Sequence, residues 1–338
     1  MHLEILSETF YQEYECFLSN FEESLLYYSV KYKLLLEELL NVKSHYLIAR
    51  DNDKIQAILP LMKKEGPYGT IINSLPYYGS NGGVLSLDKR YHDFLLQEYT
   101  KLIQLVAGAT YINNPLNFTS LPLDYDILDQ RIGQWTPIEY NNNIEEQIMS
   151  SYHGKTRNLV RKAIKLNIKV NIDNSQIDFL YSTHHENITS IGGKAKEQKF
   201  FNLLETYFEA GKDYNIYIAT FEGKRIGALL LFYYNKTVEY FTPAVLTEYR
   251  NYQPTSLLIY QAMIDASKQK YSWWNWGGTW LTQDGVYHFK KRFGAIDKKY
   301  NYYIKVNNKE IYYATKKELL SQYNNFYVLP FNQLKEKI

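Results

Sequence analysis

Cysteine is almost missing from this chain: Cys16 is the single thiol among 338 residues. One thiol excludes an internal disulfide framework and any zinc site that needs several thiolates from one chain. Its setting, FYQEYECFLSNF, has amphipathic helical spacing and reads as a buried structural cysteine rather than a nucleophile. Long apolar runs are absent too. No stretch approaches the ~18 residues needed to span a bilayer, and the acidic start MHLEILSETFYQEYE lacks the basic-then-apolar order of a leader. The expected location is cytoplasmic. Charge of one sign is also lacking, with 38 Lys and Arg against 36 Asp and Glu, a net of +2. That balance excludes a wholly basic nucleic-acid surface and leaves phosphate recognition to local patches. His184-His185 and His288 are not grouped with carboxylates at metal-ligand spacing, and no Walker loop, dinucleotide fingerprint or Gly-x-Ser-x-Gly elbow occurs. No metal is expected.

What the chain does hold is core material. Hydrophobic residues make up 45% and charged ones 22%, so a sizeable core can form. The 34 tyrosines, beside many Asn, Lys and Ile, fit an AT-rich genome more simply than a carbohydrate-binding surface. Helical spacing covers about 10–19 and 24–40, followed by strand-like HYLIAR, IQAILPLM and YGTIINSL. A helix over 91–106 and a short strand ATYIN come next. A long basic helix is expected over 143–167, then helices over 177–187 and 196–210.

The first pattern then returns. IYIATFEGKRIGALLLF (216–232) reads like YLIARDNDKIQAILPLM (46–62), with one residue inserted at the second turn. A strand TVEYFTPAV, a helix over 254–268 and a strand SWWNWG follow. Hairpin, strand, helix, strand thus occurs twice, which implies an internal duplication of about 170 residues. Each half is an α/β layer with a mixed sheet and flanking helices. The division falls at 1–142 and 143–338.

That element order is the order of the Gcn5-related N-acyltransferase fold, and a tandem pair resembles the FemABX family, the aminoacyltransferases of peptidoglycan bridge synthesis and their relatives. Three stretches carry the likeness: SLPYYGSNGGVL (74–85), KTRNLVRKAIKLNIKV (155–170) and GVYHFKKRFGA (285–295). The resemblance implies formation of an amide on an amino group of a cell-envelope precursor, either a peptidoglycan stem peptide or an amino sugar. The donor is then an aminoacyl-tRNA or an acyl-CoA, with no tightly bound cofactor. The implied partners are a nucleotide- or lipid-linked precursor, with charged tRNA and transient contact with the inner membrane face as further candidates. Two other readings stand beside it: an acyl-CoA-dependent sugar N-acyltransferase, and a non-catalytic module for nucleotide sugars or RNA. The chain lacks the long charged helical hairpin that some family members use to hold tRNA. The acetyltransferase pyrophosphate loop is replaced by RNYQPTS (250–256), without its glycines and with Pro254 offering no N–H.

Individual residues follow. Asp284 suits an N-cap, and Val286, Phe289 and Phe293 share an apolar face at helical spacing. Lys290 borders that face, where partial desolvation strengthens a cation, and the family likeness gives it the oxyanion-stabilising role. Lys291 and Arg292 read as surface charges. Arg157, Arg161 and Lys165 recur every four residues and suit a phosphate chain, with Val160, Ala163 and Ile164 turned to a core. Lys196 and Phe200 loosely match a family position that holds the acceptor with an arginine and a tyrosine. Tyr77, Tyr78, Gly82 and Gly83 suit an acceptor cleft between domains, where rings stack and the backbone approaches closely. Trp273 and Trp274 alternate across a strand that Gly277-Gly278 ends, leaving Trp276 or Trp280 to wall the site.

Overall fold

The computed structural model describes residues 1–77, 81–279 and 284–335. Contacts divide the chain into two units, Met1–Arg131 with Lys299–Ile338, and Ile132–Lys298. The chain passes from one unit to the other within the strands Ile127–Pro137 and Ile296–Val306. The expected division at 142/143 therefore departs from this one at both ends. Its reason lies in pairing: Tyr302 to Val306 run antiparallel to Ile112 to Gly108 and return the C-terminal residues to the first unit. Tyr327 then exchanges backbone bonds with the Asn73 side chain, and the Tyr323 hydroxyl donates to Gly69 O at 2.8 Å.

Each unit contains the repeated hairpin. In the first, Leu47–Asp51 pairs with Lys54–Leu59; in the second, Tyr214–Phe221 pairs with Lys224–Tyr234. Asn52 and Asp53 turn the first at φ 49° and 58°, and Glu222 and Gly223 turn the second at 50° and 78°. Paired left-handed residues match the strands' own twist, so both turns are two residues long. A register shift follows Ala49 in one hairpin and Ala219 in the other. The inserted residue expected in the second turn is absent: Ala57 faces Ala49 as Gly227 faces Ala219.

The remaining elements repeat as well. In the first unit Ile71–Asn73 lies parallel to Gly108–Ile112, with the 15-residue helix Lys89–Ile103 connecting them. In the second, Thr237–Val245 lies parallel to Trp273–Thr279, joined through the 15-residue helix Pro254–Lys268. A parallel pair needs such a crossover, and burying it against the sheet supplies the core. Tyr91, Leu95 and Tyr99 pack on Leu47, Ala57 and Tyr111 in the first unit. Leu258, Ala262 and Met263 pack with Leu229, Val238 and Trp274 in the second. The fold is thus α/β with mixed sheets, one acyltransferase-like layer per unit.

Local expectations need four corrections. The helix over 143–167 is two helices, Ile144–Ser151 and Gly154–Lys165, with extended Tyr152 between them and the His153 ring accepting the Lys155 N–H. The segment 196–210 holds only Gln198–Asn202 and Leu204–Tyr207. Cys16 is exposed, because Tyr14, Phe17 and Leu18 fill the buried face of its helix. Ile164 is 49% exposed, since Thr156, Val160 and Ala163 carry that helix's packed face. Among the described residues no helix is long and apolar enough to cross a membrane.

Gly82 is fixed by space. A Cβ there would lie 2.5 Å from Ser74 O, a backbone atom that cannot swing away. Gly82→Ala should cost roughly 1–3 kcal/mol by overpacking. Gly285→Ala, where a Cβ meets nothing within 4 Å among the described residues, should be neutral or slightly stabilising in a helix. Equal denaturation midpoints for the two variants would refute this packing argument.

Candidate active site

The second unit's parallel strands pair only at Thr237↔Trp273, Val238↔Trp274 and Glu239↔Asn275. Both strands run on, to Val245 and Thr279, without further rungs. The opening is fixed by side chains of its last rung. Asn275 Nδ2 donates to Glu239 Oε2 at 2.7 Å, and Asn275 Oδ1 accepts the Gly277 N–H at 2.8 Å. Neither residue was singled out by the sequence. A lone carboxylate within the apolar strand TVEYF was the available signal.

On its other edge this strand pairs with the end of Ile127–Pro137, and the register slips. Asn275 faces Trp135 and Gly278 faces Gly133, so Trp276 and Gly277 together oppose Gln134. This is a β-bulge, and Gly277 at φ 75° supplies the left-handed residue such a bulge favours. The di-glycine therefore bends the strand through to Thr279 instead of ending it.

The bulge turns two carbonyls toward Lys290. Its Nζ donates to Thr279 Oγ1 at 2.8 Å, to Gly278 O at 3.0 Å and, at 3.4 Å, to Gly277 O. Thr279 Oγ1 in turn donates to Gln134 Oε1 at 2.7 Å, and Gln134 Nε2 to Tyr287 O. Lys290 is 6% exposed, the buried residue of the helix Asp284–Lys291. Val286 and Phe289, expected on the packed face, are 44% and 36% exposed. The helix is thus turned so that its lysine lies inward, with only Phe293 of the expected apolar set in the core. No carboxylate pairs with Lys290 among the described residues, and burial lowers its pKa to about 8. By contrast Lys291 lies 3.5 Å from Asp297 at the surface.

Lys196 borders the other diverging strand. Its Nζ lies 3.4 Å from Phe241 O and 4.9 Å from the Phe241 ring centroid, and burial lowers its pKa to about 8 as well. Its N–H donates to His184 Nε2 at 3.3 Å. Burial and the Lys196 charge bring His184 down to about 4, so it is neutral at pH 7.

Other expected site residues lie elsewhere. Phe200 is fully buried and stacked on Phe241, so it is core and not an acceptor contact. Trp276 is core too: it packs on Tyr240, Trp274 and Phe293, and its Nε1 donates to Thr136 Oγ1. Phe289 stands over its edge, half open to solvent. Arg157 is half-buried and donates to Tyr152 O at 3.1 Å, securing the junction of the two helices rather than waiting for a ligand. Arg161 is exposed, its guanidinium donating to Asn158 Oδ1 at 3.4 Å, and Lys165 is exposed beside it. In the first unit Tyr77 is half-buried at φ 81°, its N–H on Asn325 O. Gly82 is buried against Ser74 with no room for a Cβ, and Gly83, also buried, lies beside the Tyr111 hydroxyl and lines a cavity of the first unit. Tyr78 and Trp280 lie outside the described residues. The second unit's helix Pro254–Lys268 begins with proline, which has no N–H, and Gln253 O accepts the Ser256 N–H at 3.2 Å.

Hairpin, parallel strand pair and crossover helix occur once in each unit, the layout of a tandem acyltransferase-like fold, and the buried polar site described above lies in the second. Residues 184–317 match the FemAB family, a stretch that includes the Glu239–Asn275 rung and Lys290. The crystal structure of FemX superposes with a TM-score of 0.69 at 14% identity, covering 93% of this chain and 99% of that one. L-PGS from Bacillus licheniformis gives 0.52 at 9% identity over 93% and 96%. A tandem GNAT protein from the clavulanic acid biosynthesis pathway gives 0.50 at 8% over 90% and 98%. No curated protein matches the sequence. Residues 184–317 are thus FemAB-like, a stretch that holds the GVYHFKKRFGA motif.

Burial of Lys290 has a measurable consequence. The unfolded lysine titrates near 10.5 and the folded one near 8. Between those values the unfolded state binds a proton that the native state does not, so stability rises with pH across that window. Below pH 8 both states are protonated and the whole burial cost, roughly 3 kcal/mol, is present. Lys290→Met should therefore melt higher than the parent at pH 7, with the gap closing between pH 8 and 10. A gap that is constant with pH would show that the lysine is not desolvated.

Proposed function

We propose that the second unit forms an amide by aminolysis of an aminoacyl ester, with the amino group of a peptidoglycan precursor as acceptor. The observation that carries this reading is a buried lysine, without a carboxylate partner among the described residues, held against the bulge where two parallel strands part. The FemAB match over the same residues supports the reaction class. The unprotonated amine attacks the ester carbonyl carbon, and the C=O electrons pass to oxygen. Lys290 stabilises that oxyanion, which replaces Gly277 O, the acceptor at 3.4 Å that it holds least closely. Collapse breaks the ester C–O bond, and the leaving alkoxide takes the proton that the amine sheds. In a site shielded from water such a cation acts at low effective dielectric and needs little reorganisation.

An aminoacyl-tRNA is favoured over an acyl-CoA because Pro254 offers the cofactor's pyrophosphate no N–H. The exposed Arg161 and Lys165, one helical turn apart, suit the phosphates of donor or acceptor.

Assays with charged tRNA and acyl-CoA, each offered with stem peptide and amino sugar, test the proposal directly. Lys290→Ala should lower kcat and kcat/KM together by on the order of 10²–10³ with acceptor binding nearly intact. Lys291→Ala should change little. Wild-type kcat in Lys290→Ala would sink the mechanism, and turnover with acyl-CoA alone would replace the donor. Arg161→Ala should instead weaken binding of the phosphate-bearing substrate, with the difference from the parent shrinking at high salt. A difference independent of salt would remove Arg161 from phosphate contact.

A further inference from the structure

The proposed chemistry gives Gln134 no part, yet its side chain joins the two elements that make the lysine site. It is fully buried in the strand Ile127–Pro137, opposite Trp276 and Gly277, the two residues of the bulge. Its amide serves two partners. Gln134 Oε1 accepts the Thr279 hydroxyl proton at 2.7 Å, and Gln134 Nε2 donates to Tyr287 O at 3.2 Å. Thr279 belongs to the strand that carries the bulge, and Tyr287 to the helix that carries Lys290. Two residues along, on the same face of the strand, Thr136 Oγ1 donates to Phe293 O at 3.1 Å. The backbone around Lys290 is thus pinned to this strand three residues before the lysine and three residues after it.

The Gln134 pin also reaches an acceptor of the lysine. Lys290 Nζ donates to Thr279 Oγ1 at 2.8 Å, so that oxygen keeps a lone pair toward the ammonium and must send its own proton elsewhere. Gln134 Oε1 takes the proton. The amide cannot be turned over, because Oε1 would then face Tyr287 O with no proton between them. Tyr287 O therefore fixes the amide, and the amide fixes the hydroxyl. Giving its proton away polarises the hydroxyl oxygen, which makes the shortest of the three contacts of Lys290. The other two acceptors are backbone carbonyls held by the strand, so Thr279 alone among the three is free to rotate without its amide partner.

We infer that Gln134 is a positioning residue: its amide holds Thr279 Oγ1 as an acceptor and so keeps the Lys290 ammonium against the bulge. It acts through Thr279 rather than on the reacting atoms. Among the described residues no charged group shifts Lys290, whose value of about 8 comes from burial alone. The ammonium therefore persists at neutral pH through the quality of its oxygen contacts. This positioning is a property of the folded chain by itself; its effect on rate rests on the proposed role of Lys290.

Lysine isotope-labelled at Cε, whose NMR shift follows the Nζ proton, reports the titration of Lys290 in the full chain without substrate, and Lys290→Ala assigns the signal. The parent should titrate at about 8. Gln134→Met, similar in volume but without the amide, should lower that value by about one unit, the size of one weakened hydrogen bond to a charge. Gln134→Glu keeps an acceptor for Thr279 and sets a carboxylate one hydroxyl from the ammonium, which should raise the value above the parent's. It decides the matter if Gln134→Met fails to fold. Thr136→Val removes the other pin and should leave the Lys290 titration at the parent's while lowering the melting temperature. A titration unmoved in the folded Gln134 variants overturns the inference, and so does an equal shift in Thr136→Val. In the acyl-transfer assay the high-pH loss of kcat should move with the titration, with KM little changed. Titration shifts that kcat does not follow uphold Gln134 as a positioning residue and overturn the role of Lys290 in the reaction.

Discussion

The early end of one parallel strand pair governs the second unit. Beyond Glu239↔Asn275 the two strands have no shared rungs, and their backbone groups need other partners. Asn275 meets the need on one side by holding both the Glu239 carboxylate and the Gly277 N–H. The bulge at Trp276-Gly277 meets it on the other, keeping Gly278 and Thr279 paired with Gly133 and Ile132. Lys290 and Lys196 then satisfy carbonyls of the diverging strands, one at Gly278 and one at Phe241. Parting, bulge and buried cations form one arrangement.

A buried cation without a counter-ion is costly, and this fold keeps Lys290 through three oxygen acceptors that carry dipoles but no full charge. A carboxylate in their place would stabilise the fold and neutralise the cation. Dipoles leave its charge available to a developing anion, which suits transition-state stabilisation. Its neighbour Lys291 pairs with Asp297 in partial exposure and so has a weaker field. One residue of register separates the two behaviours.

The two units share a plan and differ in what occupies the start of the crossover helix. In the second it is Pro254, preceded by Gln253 in a left-handed conformation; in the first it is Asp88, whose carboxylate caps the helix. Proline takes one N–H away from the first of these ends, and the Asp88 carboxylate brings a negative charge to the other.

The repeat was legible in sequence because a strand's side chains alternate with period two and a turn must be polar and left-handed, constraints that local order expresses. The basic segment around Lys290 and its motif likeness were legible for the same reason. The turn's length was misjudged by one residue, since likeness of residue type matches Ala57 with Ala228, whereas cross-strand pairing sets Ala57 opposite Ala49 and Gly227 opposite Ala219. Which face of the last helix is buried was decided only in three dimensions: Val286 and Phe289 have the amphipathic spacing, yet the carbonyls exposed by the bulge draw Lys290 inward. Glu239 and Asn275, 36 residues apart, meet only because the crossover helix sets their strands side by side. The return of the C-terminal residues to the first unit is likewise a matter of long-range pairing, Tyr302 with Ile112. Sequence determined the elements and their order, through local conformational preference. Tertiary structure decided which polar side chains are left facing one another, because burial depends on neighbours that the chain brings from far away.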